Sequence, residues 1–385
     1  MKKSILFAAL AAAAVAMPSC SSDQDEVLNN GEGIRFTVSA GKQSRAIAVD
    51  NGSIKQFHVW AVASNNKTGF FMNTDVTKDD GGNWTYSPTK FWPQSNKVNF
   101  FAISAGTVAG YTDITRAVAA NYNEGKGGME LKDYTVVENA DLDVLYAACY
   151  GADKTTGTVK LNFRHALSQL AFAAKCTNED LTIRVQSIRV ENIKNKGTLA
   201  GPKATTQNQL LAGNTTTETG DNWGVWSGQD GKATYKAPFH ADYSQPLTAT
   251  ATEYSVDGGK YDGLLVLPQE ITPWNYTSYG DDLNGSRFLI KCQILSGVDA
   301  LGGKTQIWPA NGDYAEVAIP VPAHTWQQGM RYVYTFVFNE GAGYTPDPVT
   351  PGSNPEPVLS KVKISVTVDE FQNGGTYEVG MGTAE

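Results

Sequence analysis

The chain has 385 residues, a formal net charge of −8, 41% hydrophobic residues and 18% charged residues. That hydrophobic share excludes a disordered protein, and the acidic balance with no basic run in the mature part excludes a nucleic-acid binder. The length predicts two or three domains. Thirty-eight Gly, 17 Tyr and 15 Phe predict β-structure with many turns, and Gly or Asn interrupts nearly every window that a long helix or coiled coil would need.

Residues 1–19 read as a targeting segment. Lys2 and Lys3 precede the apolar run Ile5–Met17, which is too short to cross about 30 Å of hydrocarbon and so predicts the core of a signal peptide. The run ends at MPSC, which resembles a bacterial lipobox. There the Cys20 thiol takes a diacylglycerol and the chain is cut before it, although Pro18 stands where Ala or Ser is usual. Ordinary cleavage nearby, with Cys20 incidental, is the competing reading. Residues 20–33 form an acidic flexible tether; its SSDQDE resembles the surface-export signal of Bacteroidetes lipoproteins, and a plain spacer is the alternative. With Cys20 acylated, Cys149, Cys176 and Cys292 remain, an odd number, so at least one thiol is free. The strand-like surroundings of Cys176 and Cys292 predict small buried apolar residues, with one disulfide left open. No C-x-x-C and no zinc spacing occurs, so no metal or cofactor is expected.

Short strands follow one another along the rest of the chain. IRFTV puts Ile34, Phe36 and Val38 on one face. FHVWAVA, KVNFFAI, DVLYAAC, GTVKLNF and SQLAFAA read as further strands. In LTIRVQSIRV the apolar set changes phase between Val185 and Ile188, which predicts a bulge near Gln186–Ser187. YDGLLVLP, RFLIKCQIL and YAEVAIPV come next. MRYVYTFVF carries apolar or aromatic residues on both faces, as a strand covered on both sides would. Helix is expected only as a turn at RHALSQ and over TRAVAANY. Residues 200–250 read as a long surface excursion. The fold class is all-β, with two antiparallel sandwiches over residues 46–170 and 171–344. Residues 345–357, TPDPVTPGSNPEP, read as a Pro-rich spacer that could reach roughly 40 Å. Residues 358–385 then hold the alternating VKISVTV, with Val362, Ile364, Val366 and Val368 on one face.

Chemistry is scarce. SGVDALGGKT lacks the first Gly of a phosphate loop, at Val298, and reads as a hairpin loop before Lys304. His58, His165, His240 and His324 lie far apart and no G-x-S-x-G occurs. Asp141 and Asp143 share a strand face and read as solvated rather than catalytic or calcium-binding. Trp223, Trp226 and Trp274 lie in loop-like stretches, where they could stack on a ligand or plug the end of a sandwich.

Joined in order, FHVWAVA, KVNFFAI, DVLYAA, GTVKLNFRHALSQLAF, VQSIRVENIKNKGTL, LLVLPQ and YVYTFVF resemble the fimbrillin family of Bacteroidetes. The most specific parts are Asp143–Ala148 and Leu161–Phe172, and ISVTVDEFQNGG is similar to the family's ending, with Phe371 where Trp is common. The resemblance implies transthyretin-like sandwiches, no enzyme, and a lipoprotein precursor of a pilus subunit at the outer membrane surface. It implies trimming by an Arg-specific, trypsin-like protease after an N-terminal strand, and repair of the opened groove by a neighbour's strand. Laid on these residues, the removed segment is 34–45, the cut falls between Arg45 and Ala46, and 362–368 is a candidate donor or the last strand of its own domain. The partners implied are other pilus subunits, the protease, the lipid bilayer and a host glycan or protein receptor. A surface lipoprotein that binds glycans through its Trp loops is the second reading, and a hydrolase on a sandwich the third.

Overall fold

The computed structural model describes residues 33–40, 54–63, 71–107, 110–111, 119–123, 128–137, 142–202, 224–237, 245–254, 256–257, 260–261, 263–276, 285–298, 303–339, 341–346, 354–359, 363–370 and 377–380. The first half contributes Arg35–Ala40 (β1), Gln56–Ala63 (β2), Met72–Lys78 (β3), Trp84–Thr85 (β4) and Val98–Thr107 (β5). Gly110–Tyr111 (β6), Ala119–Asn123 (β7), Gly128–Thr135 (β8), Asp143–Ala152 (β9) and Thr158–His165 (β10) follow. The second half begins with Ser168–Cys176 (β11), Leu181–Ile193 (β12), Lys196–Ala200 (β13), Val225–Asp230 (β14) and Ala233–Lys236 (β15). Then come Thr252–Glu253 (β16), Val256–Asp257 (β17), Lys260–Tyr261 (β18), Leu264–Val266 (β19) and Arg287–Val298 (β20). Lys304–Trp308 (β21), Ala315–Pro320 (β22), Met330–Phe338 (β23), Lys363–Glu370 (β24) and Tyr377–Gly380 (β25) complete the order. The fold is all-β, and the helical content among the described residues is one 3₁₀ turn at Lys154–Thr156, capped by Asp153.

One sheet runs β1-β10-β9-β5-β2-β3-β4, with β6 on β5. β10 pairs with β9 at Arg164 and His165 and with β1 along Thr158–Phe163, so it leaves one neighbour to take up the other. The two ends of this sheet meet. Gly33 bridges Phe91, and the Ile34 N–H donates to the Lys90 carbonyl at 2.8 Å. The curled sheet encloses an apolar interior that includes Phe57, Phe100, Leu145, Leu161 and Phe163. β2, β5 and β9 are buried on their other face as well. There Trp60, Phe101 and Tyr146 pack with Leu131 and Leu199, from the sheet β14-β13-β8-β7.

β13 and β14 come from the second half of the chain yet pair onto β8 of the first. The remaining large sheets face each other. β16-β11-β23-β24-β25, with β19 on β11, packs on β15-β12-β20-β21, with β22 on β20. Phe172 of β11 and Phe336 of β23 set their rings edge-on to Phe288 of β20, at 5.9 and 5.2 Å.

Several expectations are met and others are altered by tertiary context. The register of β12 on β20 slips between Val185 and Ser187, leaving Gln186 as the extra residue and keeping Val185 and Ile188 both fully buried. Val298 pairs with Lys304, so the glycine-rich stretch joins β20 and β21 as a hairpin. The turn expected at RHALSQ is instead a two-residue link, Ala166–Leu167, fixed by Ala166 N–H to the Val144 carbonyl and Gly329 N–H to the Leu167 carbonyl. Part of the expected helix at TRAVAANY is β7. β23 buries Tyr332, Tyr334, Phe336 and Phe338, while Val333 and Val337 are half-buried, so its second face is only partly covered. The Pro-rich stretch does not reach outward at its ends. Thr345 N–H donates to the Glu356 carbonyl at 2.8 Å, Val358 N–H to Gly343 at 2.7 Å, and Ala342 N–H to Val358 at 2.9 Å. These main-chain groups satisfy one another, and the segment returns on itself.

Candidate functional site

The seat of β1 is the most distinctive construction of the first half. β1 alternates, so Ile34 and Phe36 point inward and are 2% and 5% exposed, Val38 is half-buried, and Arg35, Thr37 and Ser39 face water. Along its length β1 is laddered to β10, in parallel, from Arg35↔Thr158 to Ala40↔Phe163. Phe36 stands edge-on to Phe57 of β2, Phe100 of β5 and Tyr86, with ring centroids 5.7, 5.9 and 5.7 Å away. Tyr86 donates its hydroxyl to the Ile34 carbonyl at 2.8 Å. Burial raises the Tyr86 pKa, which keeps that hydroxyl a neutral donor. Full burial of Ile34 and Phe36 is worth roughly 1.5–3 kcal/mol each. Lifting β1 out would expose this interior and leave the β10 ladder unpaired.

The alternation of IRFTV was legible, but Tyr86, Phe57, Phe100 and the Lys90 carbonyl were not. No local spacing links positions 34 and 86, because the sheet's curvature brings them together. Arg45 and Ala46 lie outside the described residues, as does Cys20.

At the other end of the chain β24 pairs antiparallel with β23, setting Ile364 opposite Phe336, Val366 opposite Tyr334 and Val368 opposite Tyr332. β25 pairs with β24 and ends the sheet. Val362 lies outside the described residues.

The polar candidates are used internally. Asp143, expected at the surface, is buried on central β9, and the His165 Nδ1 lies 2.8 Å from its Oδ2. A partner across the sheet is what makes that burial tolerable. Asp141 and His240 lie outside the described residues. His58 sets its two ring nitrogens against Asp75 and Asn73, and His324 packs on Tyr332. No group of three His, Cys, Asp or Glu able to hold a metal occurs among the described residues. Cys149, Cys176 and Cys292 are free and buried. Desolvation pushes the Cys149 thiol up to about 12 and raises Cys176 and Cys292 as well. Trp226 donates Nε1–H to the Ala166 carbonyl at 2.7 Å and packs against Tyr134. Trp274 is 4% exposed, with Tyr276 and Tyr344 beside it and the Arg287 guanidinium 5.3 Å from its ring centroid. Trp274 lies within a small buried cluster, and Trp226 is half-buried against the main core. Trp223 lies outside the described residues.

The profile of the family described as fimbrillin-like matches residues 44–370, most of the chain. The chain belongs to the fimbrillin-like family. No curated protein matches it. Among solved structures, this fimbrillin-like chain is similar to a fimbrial protein from Bacteroides vulgatus, at 13% identity, covering 88% of this chain and 99% of that one, with a TM-score of 0.48. It is also similar to a fimbrial assembly protein from Parabacteroides distasonis, at 8% identity, covering 90% and 99%, with a TM-score of 0.35. At these TM-scores the likenesses carry no argument, and family membership rests on the sequence match. As a fimbrillin-like chain it is a structural protein and not an enzyme. Its role is that of a subunit of a cell-surface fimbrium, with other pilus subunits as partners. The matched range contains β2 to β24 and leaves β1 and β25 outside.

Proposed function

We propose that this subunit joins its neighbours by strand exchange, primed by proteolytic removal of its own first strand. The observation that supports this reading is the seat of β1: an alternating strand at the end of a sheet, laddered to β10, whose Ile34 and Phe36 complete the interior of the first half. Arg45 follows the last residue of β1 by five positions. A trypsin-like protease cutting between Arg45 and Ala46 would free 34–45 and leave an apolar slot and open ladder groups, both unfavourable in water. A strand from the next subunit relieves both by β-augmentation. The neighbour supplies it from its C-terminal segment beyond Leu359, where Val362, Ile364, Val366 and Val368 are the alternating candidates. Before the cut, lipid on Cys20 holds the precursor at the outer membrane, and residues 21–33 tether it there.

The test is Arg45→Ala in the full chain. After treatment with an Arg-specific protease the unaltered subunit should shift to high-mass, SDS-resistant ladders, whereas Arg45→Ala should keep β1 and stay monomeric. Equal ladders from both would overturn the reading.

A further inference from the structure

Tyr276 and Tyr344 come from segments far apart in the chain and lie ring on ring. Their centroids are 4.1 Å apart and their planes 23° from parallel. A hydrogen bond joins the two phenols, so the hydroxyl ends of both rings point the same way and the ring carbons beside the hydroxyls face one another. Burial together with that bond pushes the Tyr344 pKa up to about 12, which keeps its hydroxyl protonated at neutral pH. The main chain under each ring is fixed on the face of β20 and β22 turned away from the main core. Tyr344 exchanges two main-chain bonds with Ala318 of β22, at 2.7 and 2.9 Å. The segment leading to Tyr276 is tied to the residue before β20: the Trp274 N–H donates to the Ser286 carbonyl at 2.9 Å, and the Ser286 N–H to the Thr272 carbonyl at 2.8 Å. Buried Trp274, Leu289 and Ala318 form the floor beneath the pair. Both tyrosines are half-buried, so one side of the pair is open to small reagents in solution.

We propose that this pair is a site of oxidative cross-linking, at which Tyr276 and Tyr344 of one subunit join as dityrosine. The co-reactant is hydrogen peroxide acting through a haem peroxidase. Each phenol gives up one electron and its hydroxyl proton and becomes a phenoxyl radical. The two radicals form a carbon–carbon bond between the facing ring carbons beside the oxygens. The hydrogen on each of those carbons then moves to the neighbouring oxygen and restores two phenols. The pair has lost two electrons and two protons, and one peroxide takes them up to leave two waters. Two rings already held face to face react as parts of one molecule, which favours this coupling over a meeting between subunits. The half-exposed side leaves the joined rings room to swing open about the new bond. The product fastens the Ala342–Thr345 leg of the returning Pro-rich segment to the segment that covers β20. It also closes a long loop covalently, which restricts the unfolded chain and stabilises the fold.

The test uses the full chain with a site-specific protease sequence inserted between Val298 and Lys304, the hairpin loop that separates the two tyrosines in sequence. The protein is treated at low concentration with hydrogen peroxide and a haem peroxidase, then cut at the inserted site and run on a denaturing gel. Without oxidation the two pieces should run apart. After oxidation they should run as one, with dityrosine fluorescence in that band. Digestion should yield a joined peptide pair carrying residues 276 and 344, lighter by two hydrogens than its parts. Tyr276→Phe and Tyr344→Phe keep the stacked rings but each lacks one phenol, and in each the pieces should separate as they do without oxidation. Tyr314→Phe, which removes a phenol elsewhere, should behave like the unaltered chain. Pieces that separate after oxidation of the unaltered chain, joined pieces in the Tyr276→Phe or Tyr344→Phe protein, or a joined peptide that maps to other tyrosines would each overturn the proposal.

Discussion

The cysteines show how single residues are fitted to this fold. Cys149 sits on β9 within the interior closed by β1, where water cannot solvate a thiolate, and its pKa rises from 9.0 to about 12. The unfolded chain ionises this thiol near its ordinary value. Between pH 9 and 12 the unfolded state therefore holds fewer protons than the folded one, and stability falls as pH rises through that window. Titrated with a thiol reagent at pH 8, the native subunit should leave Cys149, Cys176 and Cys292 unreacted, and all three should react once denaturant is added. Rapid labelling of Cys149 in the native state would contradict its placement. That Cys292 and Cys176 are small buried fillers was readable from FLIKCQIL and SQLAFAAKC. That Asp143 is buried was not, because its partner His165 lies on another strand and nothing near Asp143 in sequence announces it.

Among the elements, β12 shows alternation and its interruption read correctly from sequence alone. Gln186 is a residue that β20 does not match, so its deletion should leave Val185 opposite Cys292 and bring Ser187 opposite Lys291 in an unbroken ladder. The deletion should keep a cooperative thermal melt, with a loss on the order of 1 kcal/mol from the changed twist. Deleting Arg189 instead should move Val190 to the outward face and out of the core, flipping the rest of the strand, and should abolish the cooperative melt. If the two deletions melt alike, the bulge has been misplaced. The strands that sequence misjudged are those whose environment is set from afar. β7 lies where TRAVAANY looked helical, and there pairing with β8 prevails over local propensity.

For the whole molecule, the all-β class was legible from short alternating runs and turn residues, but the interweaving of the two halves was not. The return of β13 and β14 to β8 depends on contacts more than sixty residues apart, which no periodicity records. A buried polar junction fastens this return. The Tyr146 hydroxyl accepts from the Gly224 N–H at 2.8 Å and donates to Gln328 Oε1 at 3.2 Å, while Gln328 Nε2 donates to the Gly224 carbonyl at 2.7 Å. Tyr146→Phe leaves the Gly224 N–H and Gln328 without this partner, which should lower stability by about 1–3 kcal/mol. Hydrogen exchange at Gly224 should speed up in the variant while exchange in β20 is little changed. Equal slowing or quickening across both would mean that the junction does not act locally.

The returning Pro-rich segment acquires another meaning once the subunit is a link in a filament under tension. Force entering through β24 passes first to β23 across their eight paired residues, and the bonds that join residues 342–345 to 356–358 form a second clasp behind that ladder, with residues 346–355 between its ends. Those roughly ten residues are stored length, about 30 Å if drawn out as an extended Pro-rich chain. A pull that parts β24 from β23 would next load the short clasp, and its breaking would lengthen the fimbria before the other strands are torn. Gly343 holds the clasp in shape, with a φ of +96° and no room for a Cβ, which would lie 2.8 Å from the Ala318 carbonyl oxygen. Stretched one molecule at a time, the unaltered subunit should show a separate extension step of about 30 Å after β24 parts from β23, and in Gly343→Ala that slack should merge into the parting itself.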